Sequence, residues 1–418
     1  MSRSWTVTEH RSLIESLAAP TTPVRSPVVG SELLGCVLAE DAHALLDTPP
    51  FTNSAMDGFA VRHVDLPPEK AEVVLPVAGD LPAGDQQAHR LAAGQVVRIM
   101  TGAPLPEGAD TVVMVEQTDH LPGTRQAPQQ VRIQAPWPEP GANVRRRGED
   151  LPAGAPVLPA GTVVDAAAVS ALVSAGVTEV TLHPRPRVGI ITTGRELVAP
   201  GVPVGPGQIP DSNAALLTGL VLAAGASIVA SARINDQIEH LAAVLDDWPE
   251  LDLVITAGGI SAGAFEVVRQ GLAHQGVDFH HVAMQPGGPQ GAGRLRCAGR
   301  QVPVLCLPGN PVSVFVSFHV YGAGLIAMLA GRAADSLPPT EQVIAAEGWV
   351  SPPGKEQICP VRRDGQRVWP HHRLGSRSHL VASLPQADGL ALVPVGTSTV
   401  APGDRLTFIP TRVGRRGW

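Results

Sequence analysis

The sequence is poor in the features that cross-link a protein or hold it in a membrane. The four cysteines, Cys36, Cys297, Cys306 and Cys359, are scattered without CxxC spacing, which favours neither a disulfide framework nor a zinc knuckle. The segment Met1 to Leu13 lacks the apolar core of a signal peptide, and we expect no apolar stretch long enough to span a membrane. These absences predict a cytoplasmic protein.

Positive charge is not concentrated anywhere along the chain. The formal net charge is −7, and no basic run is long enough to form a nucleic-acid or acidic-membrane surface. We therefore expect no nucleic-acid partner and no membrane partner. Lysine occurs only at Lys70 and Lys355, which we attribute to a composition bias in favour of arginine and not to mechanism.

The length and composition instead indicate a multidomain globular protein. A chain of 418 residues exceeds what one hydrophobic core usually organises, and 44% hydrophobic residues supply ample surface to bury. The chain contains 44 glycines and 41 prolines, and this abundance favours short strands and many turns over long helical bundles. Two to four domains are expected.

The first half of the chain predicts a β domain inserted between helical segments. Helical spacing of apolar residues predicts a helix over Thr8–Ala18 and a short helix near Leu33–Ala39, and a further helix is predicted over Ala166–Ala175. Between them lie short β-type runs separated by glycine and proline. We assign residues 1–48 and 151–184 to a segmented linker domain and residues 49–150 to the inserted β domain.

The second half predicts an α/β domain followed by a small β domain. Mostly apolar strands alternate with helices over residues 185–332, which predicts a parallel sheet covered on both faces. The predicted strands are Val188–Thr192, Ser227–Ala232, Leu251–Ile255 and Val302–Leu307, and the predicted helices are Ala214–Ala224, Ile238–Leu245, Phe265–His274 and Val312–Leu329. Residues 333–418 return to short strands, which indicates a barrel or a sandwich.

Three loops at the ends of these strands are candidates for ligand binding. They run over Thr192–Glu196, Thr256–Gly263 and Leu307–Ser313 and are rich in glycine, hydroxyl or turn-forming residues. Glycine lets a backbone approach a ligand, and a helix start favours phosphate. Ligands of parallel sheets bind at the carboxyl ends of the strands. The pattern therefore suits a phosphorylated ligand, although such turns also occur where no phosphate binds.

Acidic residues in loops are candidates for a metal site. Asp57, Asp150, Glu196 and Asp236 lie in separate loops. Each of them alone is explained by the turn-forming role of acidic side chains. If they converged on one pocket, they would suit Mg²⁺, which bridges carboxylates and phosphate oxygens.

Seven strings in order resemble one family, the molybdopterin molybdenumtransferases, which include the bacterial MoeA proteins and the gephyrin E domain. A single string would be weak, but together with their flanks they cover nearly the whole chain. The strings are Asn53–Ala60, Arg98–Pro104, Gly148–Asp150, Thr193–Leu197, Gly207–Asn213, Gly258–Gly263 and Leu307–Ser313.

The resemblance implies a multidomain α/β plus β architecture. It consists of a central three-layer α/β/α (MogA-like) pterin-binding domain, an inserted β domain, a segmented helical linker domain and a C-terminal β-barrel, in an L-shaped protomer. Family members are homodimers whose active site lies between the α/β domain of one subunit and the inserted β domain of the other. Asp57 and Thr101 would reach the site across that interface.

The implied reaction is molybdate insertion into adenylylated molybdopterin, with Mg²⁺-dependent phosphoanhydride cleavage and release of AMP. A molybdopterin adenylyltransferase would be the donor of the substrate. The resemblance gives catalytic roles to Asp57, Thr101, Glu196 and Asp236, and metal binding to Asp57, Asp150, Glu196 and Asp236. The substrate-binding residues that it implies are Thr193, Gly194, Ser212, Asn213, Gly258, Gly259, Ser261, Gly263, Glu266, Pro308, Gly309, Asn310, Ser313 and Ser376.

Three of the positions that depart from the family pattern motivate an alternative. Gln285 and Gly288 stand where the family often has lysine, and Ala264 stands where many relatives have aspartate. Loss of cations weakens binding of a polyanion. The alternative function is a catalytically weakened paralogue that acts as a pterin-binding scaffold. A third possibility, the adenylyltransferase step, needs neither the inserted β domain nor the barrel.

Overall fold

The chain divides into two compact units. The computed structural model describes residues 4–85, 87, 89–123, 126–235, 237–261, 263, 266–333 and 340–411. One unit comprises Met1–Arg25, Leu34–Ala39 and Thr181–Trp418, and the other comprises Ser26–Leu33 and Glu40–Val180. The chain passes between the units through segments that contain the strands Val24–Pro27, Val37–Leu38 and Glu179–His183. The limits of the four predicted domains remain predictions.

A six-stranded sheet forms the centre of the larger unit. Its strands follow one another across the sheet in the order Ser227–Ile234, Arg187–Thr193, Leu253–Ala257, Arg300–Leu307, Pro289–Cys297 and Val277–His281. The first four are parallel, as the sequence predicts. The last two are antiparallel to their neighbours, so the sheet is mixed and the prediction of a wholly parallel sheet is wrong at this edge.

The antiparallel pair of strands Val277–His281 and Pro289–Cys297 could not be recognised in the sequence because of the glycines in the second strand. A Cβ at Gly293 would lie 2.2 Å from the carbonyl oxygen of Gly276, and a Cβ at Gly291 would lie 2.7 Å from the ring of Phe279. Glycine is required inside the second strand because neighbouring groups approach so closely. The same glycines remove the β-branched and aromatic residues by which a strand is recognised in a sequence.

Helices cover both faces of the central sheet and make three layers. Alternate strand residues face opposite sides, so Ile190 and Ile255 pack in one core while Ile191 and Val254 pack in the other. The first core is closed by the helices Val7–Ser16, Ser212–Ala223, Pro311–Ser317 and Ala323–Leu329. The second is closed by Ile238–Asp247 and Val267–Leu272, the latter extended by a 3₁₀ turn over Ala273–Gln275.

One helical segment corrects an expectation about membrane spans. Pro311–Ser317 and Ala323–Leu329 are joined by a π turn over Phe318–Gly322, and together they are long and apolar enough to cross a membrane by length and composition. The sequence analysis missed this stretch. The segment is 72% buried inside the protein, which is how the core helix of a globular domain is placed.

The C-terminal strands close into a barrel and not a sandwich. Five strands pair in a ring because Glu356–Asp364 pairs with both Arg367–Pro370 and Gly389–Val393. The ring is completed by Glu341–Ala345 and Arg405–Pro410. A short strand, Met284–Gln285, adds to the outside of the barrel strand at Glu356 and Gln357. Trp349–Val350 and Thr399–Val400 form a separate pair, and Val381–Gln386 is a 3₁₀ turn.

The smaller unit is built mostly from strands. Its five-stranded sheet has the order Thr111–Met114, Gly58–Val61, Val96–Ile99, Glu72–Leu81 and Gln130–Gln134. Two short pairs join Asn53–Ser54 to Val144–Arg145 and Ala42–His43 to Pro156–Leu158. Among the described residues of this unit, the helical elements are the helix Ala166–Ser174 and the 3₁₀ turns Ser31–Leu33, His63–Asp65 and Val115–Gln117.

The short helix predicted near Leu33–Ala39 does not form as such. The 3₁₀ turn ends at Leu33, and Val37–Leu38 is a strand. Gly35 has a φ of +81°, which is left-handed backbone and ends a helix. The predicted helix from Phe265 begins at Val267 instead, and Phe265 itself lies outside the described residues.

Candidate active site

A cavity of about 710 Å³ lies at the carboxyl ends of the parallel strands in the larger unit. The loops that follow Arg187–Thr193, Leu253–Ala257 and Arg300–Leu307 all line it. This is where ligands of parallel α/β sheets bind. The three glycine- and hydroxyl-rich loops proposed from sequence therefore meet in one place.

Glycines allow two of these loops to touch. Gly258 has a φ of +95° and Gly259 a φ of +67°, conformations that side chains with a Cβ rarely adopt. A Cβ at Gly258 would also lie 2.7 Å from the carbonyl oxygen of Thr193. The Gly258 N–H donates to the carbonyl of Leu307 at 3.0 Å. The backbone of this loop is thereby placed directly against the cavity.

Hydrogen bonds from buried polar residues fix the helix Ser212–Ala223 beside the cavity. Asp211 caps the helix by accepting the Ala214 N–H at 3.1 Å, and it also accepts the Thr192 hydroxyl at 2.6 Å. Asn213 donates through Nδ2 to the carbonyl of Gly309 at 2.6 Å. These bonds join the ends of two strands to one helix start, where Ser212 and Asn213 line the cavity.

The barrel completes the cavity wall. Asn310 donates through Nδ2 to the hydroxyl of Ser378 at 3.1 Å. Ser376 is buried and its hydroxyl accepts the Gln357 side-chain amide at 3.1 Å. Lys355 also lines the cavity, with Ser376 and Ser378. The two serines and the lysine come from outside the predicted α/β domain.

Two buried polar atoms of residues that line the cavity have no hydrogen-bond partner among the described residues. The hydroxyl of Thr193 and the Oδ1 atom of Asn213 are buried and make no hydrogen bond to the described residues. Such atoms destabilise a folded protein by about 1–3 kcal/mol each unless something satisfies them. A bound ligand with hydrogen-bond donors would do so.

The charged side chains of the cavity are few. Among the described residues, its acidic and lysine side chains are Glu196, Glu266 and Lys355, and His281 also lines it. Glu266 is committed to its own loop, because its carboxylate oxygens accept the N–H groups of Ser261 at 2.8 Å and Gly263 at 3.2 Å. The carboxylate of Glu196 lies over Gly194, where a Cβ would approach Glu196 Oε1 to 2.7 Å.

One acidic side chain of the cavity suits a Mg²⁺ site that substrate phosphates would complete. No group of three or more His, Cys, Asp or Glu side chains able to hold a metal is found within the described ranges. Protein Mg²⁺ sites often need only one or two carboxylates, with substrate phosphates and water as the other ligands. Glu196 in the cavity fits such a site, whereas Glu266 is occupied by backbone donors.

The fourth wall of the cavity carries no charge. Its residues run from Met284 to Pro289, with Gln285 and Gly288 at the positions that depart from the family pattern. The strand pairing of Met284 with Glu356 and of Gln285 with Gln357 joins this wall to the barrel. The cations that the resemblance would place here are therefore absent from this wall.

A second pocket lies in the smaller unit and contains Asp57 and Thr101. Its volume is about 370 Å³, and Phe59, Arg98 and His120 also line it. Asp57 Oδ1 accepts the Thr101 N–H at 2.6 Å and the Thr101 hydroxyl at 2.7 Å. These bonds, the backbone one first, hold the pKa of the Asp57 carboxyl below its ordinary value.

The placement of the predicted site residues follows from these two pockets. All of the expected substrate-binding residues except Gly263 line the larger cavity, together with Glu196. Asp150 is exposed and does not line the pocket of Asp57. Asp236 and Ala264 lie outside the described residues. Lys355, Ser378 and His281 line the cavity but were not predicted from the sequence. For Lys355 a signal was present, because the chain has only two lysines, but this rarity was attributed to composition bias.

Comparison with known proteins agrees with this arrangement. The model of the MoeA N-terminal region (domain I and II) matches residues 5–176, that of a probable molybdopterin binding domain matches residues 189–327, and that of the MoeA C-terminal region (domain IV) matches residues 342–411. The chain is 39% identical over 410 residues to molybdopterin molybdenumtransferase 2 of Mycobacterium tuberculosis (strain ATCC 25618 / H37Rv), covering 96% of this chain and 98% of that protein.

The chain belongs to the molybdopterin molybdenumtransferase family.

Other members of the family support the assignment. The molybdopterin molybdenumtransferase of Nostoc sp. is 35% identical over 378 residues, covering 88% of this chain and 85% of the relative. The crystal structure of the molybdopterin biosynthesis MoeA protein from Pyrococcus horikosii superposes with a TM-score of 0.80 at 26% identity and covers 100% of both chains. The molybdenumtransferase fold and membership of a transferase family in molybdenum cofactor biosynthesis are thereby shown.

Proposed function

We propose that the protein inserts molybdate into adenylylated molybdopterin, with cleavage of the phosphoanhydride and release of AMP. The observation that carries this proposal is the meeting of three glycine- and hydroxyl-rich loops with Lys355 in one cavity. Backbone N–H groups and hydroxyls that are fixed before the ligand arrives stabilise developing negative charge effectively. A phosphorylated pterin offers anionic groups to these donors, and it offers hydrogen-bond donors to the unpaired Thr193 hydroxyl and Asn213 Oδ1 atom.

The residues of the cavity have separable roles in this proposal. Lys355 neutralises part of the charge of the anionic substrates. Ser212, Ser261 and Ser376 hydrogen-bond to oxygen atoms, and the unpaired Thr193 hydroxyl and Asn213 carbonyl accept pterin donors. Gly258 and Gly309 let the backbone approach the substrate. Each of these residues lines the cavity, and they bind and orient without forming a covalent bond.

Magnesium is the proposed cofactor, held by Glu196 together with the substrate phosphates. When bound, it supplies charge neutralisation at the anhydride. Asp57 is a proposed further ligand, since its Oδ2 atom has no hydrogen-bond partner among the described residues. Asp150 and Asp236 remain predicted ligands. Molybdate is a substrate and not a resident metal.

The decisive test is a single-turnover assay of the full-length protein. Adenylylated molybdopterin, molybdate and Mg²⁺ are added, and AMP and pterin-bound molybdenum are measured together. The proposal requires AMP release that depends on molybdate and stops with EDTA. Glu196→Gln is expected to slow release by about 100-fold, a typical effect of a lost charge-stabilising group. Glu239→Gln, an exposed carboxylate outside the cavity, is the matched control.

The alternative function is a pterin-binding scaffold with weakened catalysis. The uncharged wall at Gln285 and Gly288 favours it. In the same assay, tight retention of the adenylylated pterin without AMP release would support the scaffold and contradict the enzyme. Handover of the pterin from a molybdopterin adenylyltransferase is part of both proposals.

We further propose a cytoplasmic homodimer in which Asp57 and Thr101 of one subunit act at the cavity of the other. A complementation experiment tests this. We expect Asp57→Asn and Glu196→Gln each to be strongly impaired alone, and after subunit exchange about a quarter of the sites regain both carboxylates if the site is shared between subunits of a two-fold dimer. If the site were formed within one chain, mixing would restore no activity.

A further inference from the structure

The uncharged wall of the cavity carries an imidazole above a glycine. His281 ends the strand Val277–His281, is exposed and lines the cavity. Gly288 is buried, and a Cβ built on it would lie 2.8 Å from Cε1 and 3.2 Å from Nε2 of His281. The imidazole therefore fills the space that a side chain at position 288 would enter.

The backbone holds His281 in this place from two sides. It stands opposite Pro289 in the antiparallel pair, and the N–H of Val282 donates to the carbonyl of Gly288 at 2.7 Å. The carbonyl of His281 accepts the Trp5 N–H and the Ser4 hydroxyl, both at 2.9 Å. The ring nitrogens have no hydrogen-bond partner in the part of the chain that the structure describes, so they remain available to a ligand.

Packing alone does not require a histidine here. On the same face of the strand, Phe279 covers Gly291 in the same way, since a Cβ there would lie 2.7 Å from the Phe279 ring. Phe279 packs against a hydrophobic core, whereas His281 is exposed and faces the cavity. Any aromatic side chain would cover the glycine. A titratable ring in the cavity adds a function that phenylalanine does not have.

The charged residues near His281 indicate how protonation of its ring would change the charge of the cavity. The carboxylates of Glu196 and Glu266 outnumber the single ammonium of Lys355 among the described cavity residues. The wall segment Met284–Pro289 beside His281 has no charged side chain, and the packed segment at Ser4 and Trp5 is uncharged.

On its own strand, the neighbouring titratable groups are turned to the opposite face. Asp278 and His280 occupy the alternate positions, and the His280 ring stacks on Trp5 with the ring centroids 3.7 Å apart. Protonation of His281 would therefore bring the charges that line the cavity into balance. An anion would then enter without a surplus of negative charge.

We propose that His281 binds the oxyanion part of the substrate and, by its protonation, takes the place of a cation at position 288. The inference rests on the proposed function, because that function makes the ligand anionic. Histidine is the side chain that gains charge between about pH 5 and 8, so anion affinity rises as the pH falls through this range. A site that carries lysine at 288 would show no such dependence.

The first test measures binding of molybdate alone to the full-length protein by equilibrium dialysis at about pH 6 and about pH 8, conditions that span the ordinary imidazole pKa. We expect about three- to tenfold tighter binding at the lower pH, the size of one partly screened charge-assisted hydrogen bond. His281→Gln is expected to bind at both pH values as the wild type binds at the higher one. His274→Gln, an exposed histidine outside the cavity, keeps the wild-type dependence.

A second test exchanges the two positions. Gly288→Lys alone places a side chain against the imidazole and is expected to bind molybdate no better than the wild type. His281→Gly combined with Gly288→Lys removes that contact and is expected to bind equally at both pH values. The thermal unfolding midpoint of each variant shows that it is folded.

The outcomes separate the inference from the proposed function. Equal affinity of the wild type and His281→Gln at the lower pH, or no molybdate binding by the wild type at either pH, would overturn the role of His281. Neither result decides whether the protein releases AMP, which the single-turnover assay measures independently. Loss of AMP release with pH-dependent molybdate binding intact would overturn the proposed function and leave His281 as an oxyanion ligand.

Discussion

Asp57 accepts two hydrogen bonds from Thr101 through a single carboxylate oxygen, one from the backbone N–H at 2.6 Å and one from the hydroxyl at 2.7 Å. Both bonds favour the ionised carboxyl and lower the pKa of Asp57. The second oxygen, Oδ2, is left without a partner among the described residues. Thr101 therefore favours the charged form of Asp57 and leaves one oxygen of the carboxylate without a hydrogen bond to the described residues.

The first prediction concerns this pair. Thr101→Val keeps the backbone bond and removes the hydroxyl bond, so we expect the pKa of Asp57 to rise toward its ordinary value. In the proposed function Asp57 acts as a carboxylate, so the acid limb of the pH–rate profile should move to higher pH, with a loss of about two- to tenfold near its midpoint. Thr101→Ser restores the hydroxyl and should restore the wild-type limb. An unchanged limb in Thr101→Val would contradict the role of Thr101.

The second prediction concerns the lysine of the cavity. Lys355→Gln removes the one ammonium group among the described cavity residues, and we expect KM for adenylylated molybdopterin to rise about tenfold. Lys355→Arg should recover part of the affinity because it keeps the charge. Lys70→Gln changes the other lysine of the chain, which is exposed and outside the cavity, and should have no effect on KM. Equal KM values for both glutamine variants would show that the charge of Lys355 is not used.

The third prediction concerns the glycine loop. Gly258 and Gly225 have nearly the same backbone conformation, with φ of +95° and +88°, but only Gly258 has a backbone oxygen within 2.7 Å of an added Cβ. Gly225→Ala is expected to lower the free energy of unfolding by about 1–2 kcal/mol from conformational strain alone. Gly258→Ala should cost at least about 3 kcal/mol, since the carbonyl of Thr193 must also move. Urea unfolding of the two variants measures the difference, and equal losses would show that the loop can move aside.

The fourth prediction concerns a histidine that is buried away from the cavity. His10 is fully buried, and burial together with the nearby His280 lowers its pKa to about 3. The unfolded chain therefore binds the proton more tightly than the folded protein does. Stability is complete above about pH 6.5 and is lost as the pH falls toward 3, by about 2 kcal/mol at pH 5.

Replacement of this histidine tests the linkage. His10→Leu removes two ring nitrogens that have no partner among the described residues, and it should reduce the dependence of the urea midpoint on pH between 7 and 5 by roughly half. A slope of similar size should remain from His319, whose pKa burial lowers to about 4, because both folded-state pKa values lie below this pH range. The exposed variant His274→Gln should leave the full slope. A slope unchanged by His10→Leu would mean that other groups cause the acid sensitivity.

The parallel strands of the central sheet could be predicted because the residues of each strand carry the pattern by which it is recognised. Strands such as Leu253–Ala257 are buried on both faces and give continuous apolar runs. The loops that follow such strands must then meet at one edge of the sheet. The cavity residues Gly258 and Asn310 were found in this way, without knowledge of any contact.

The remainder depended on contacts between distant segments. Lys355 enters the cavity wall because the strand Met284–Gln285 pairs with residues 356 and 357, and no local pattern predicts such a pairing. The glycines that allow the strand Pro289–Cys297 to form also hide it. The helix expected near Leu33–Ala39 failed for a local reason, the left-handed backbone at Gly35. Asp57 stood out from the residues only as one of four acidic loop positions, and Thr101 was singled out only by the resemblance of its motif.

The wall that carries His281 also constrains when the site can form during synthesis. Near the start of the chain, Trp5 accepts the N–H of Ala283 at 2.7 Å, and near the other end the N–H of Glu356 donates to the carbonyl of Ala283 at 2.8 Å. Contacts of such large sequence separation form slowly. A nascent chain would therefore hold all six strands of the central sheet before it could finish this wall, and substrate binding would be among the last properties that the emerging protein acquires.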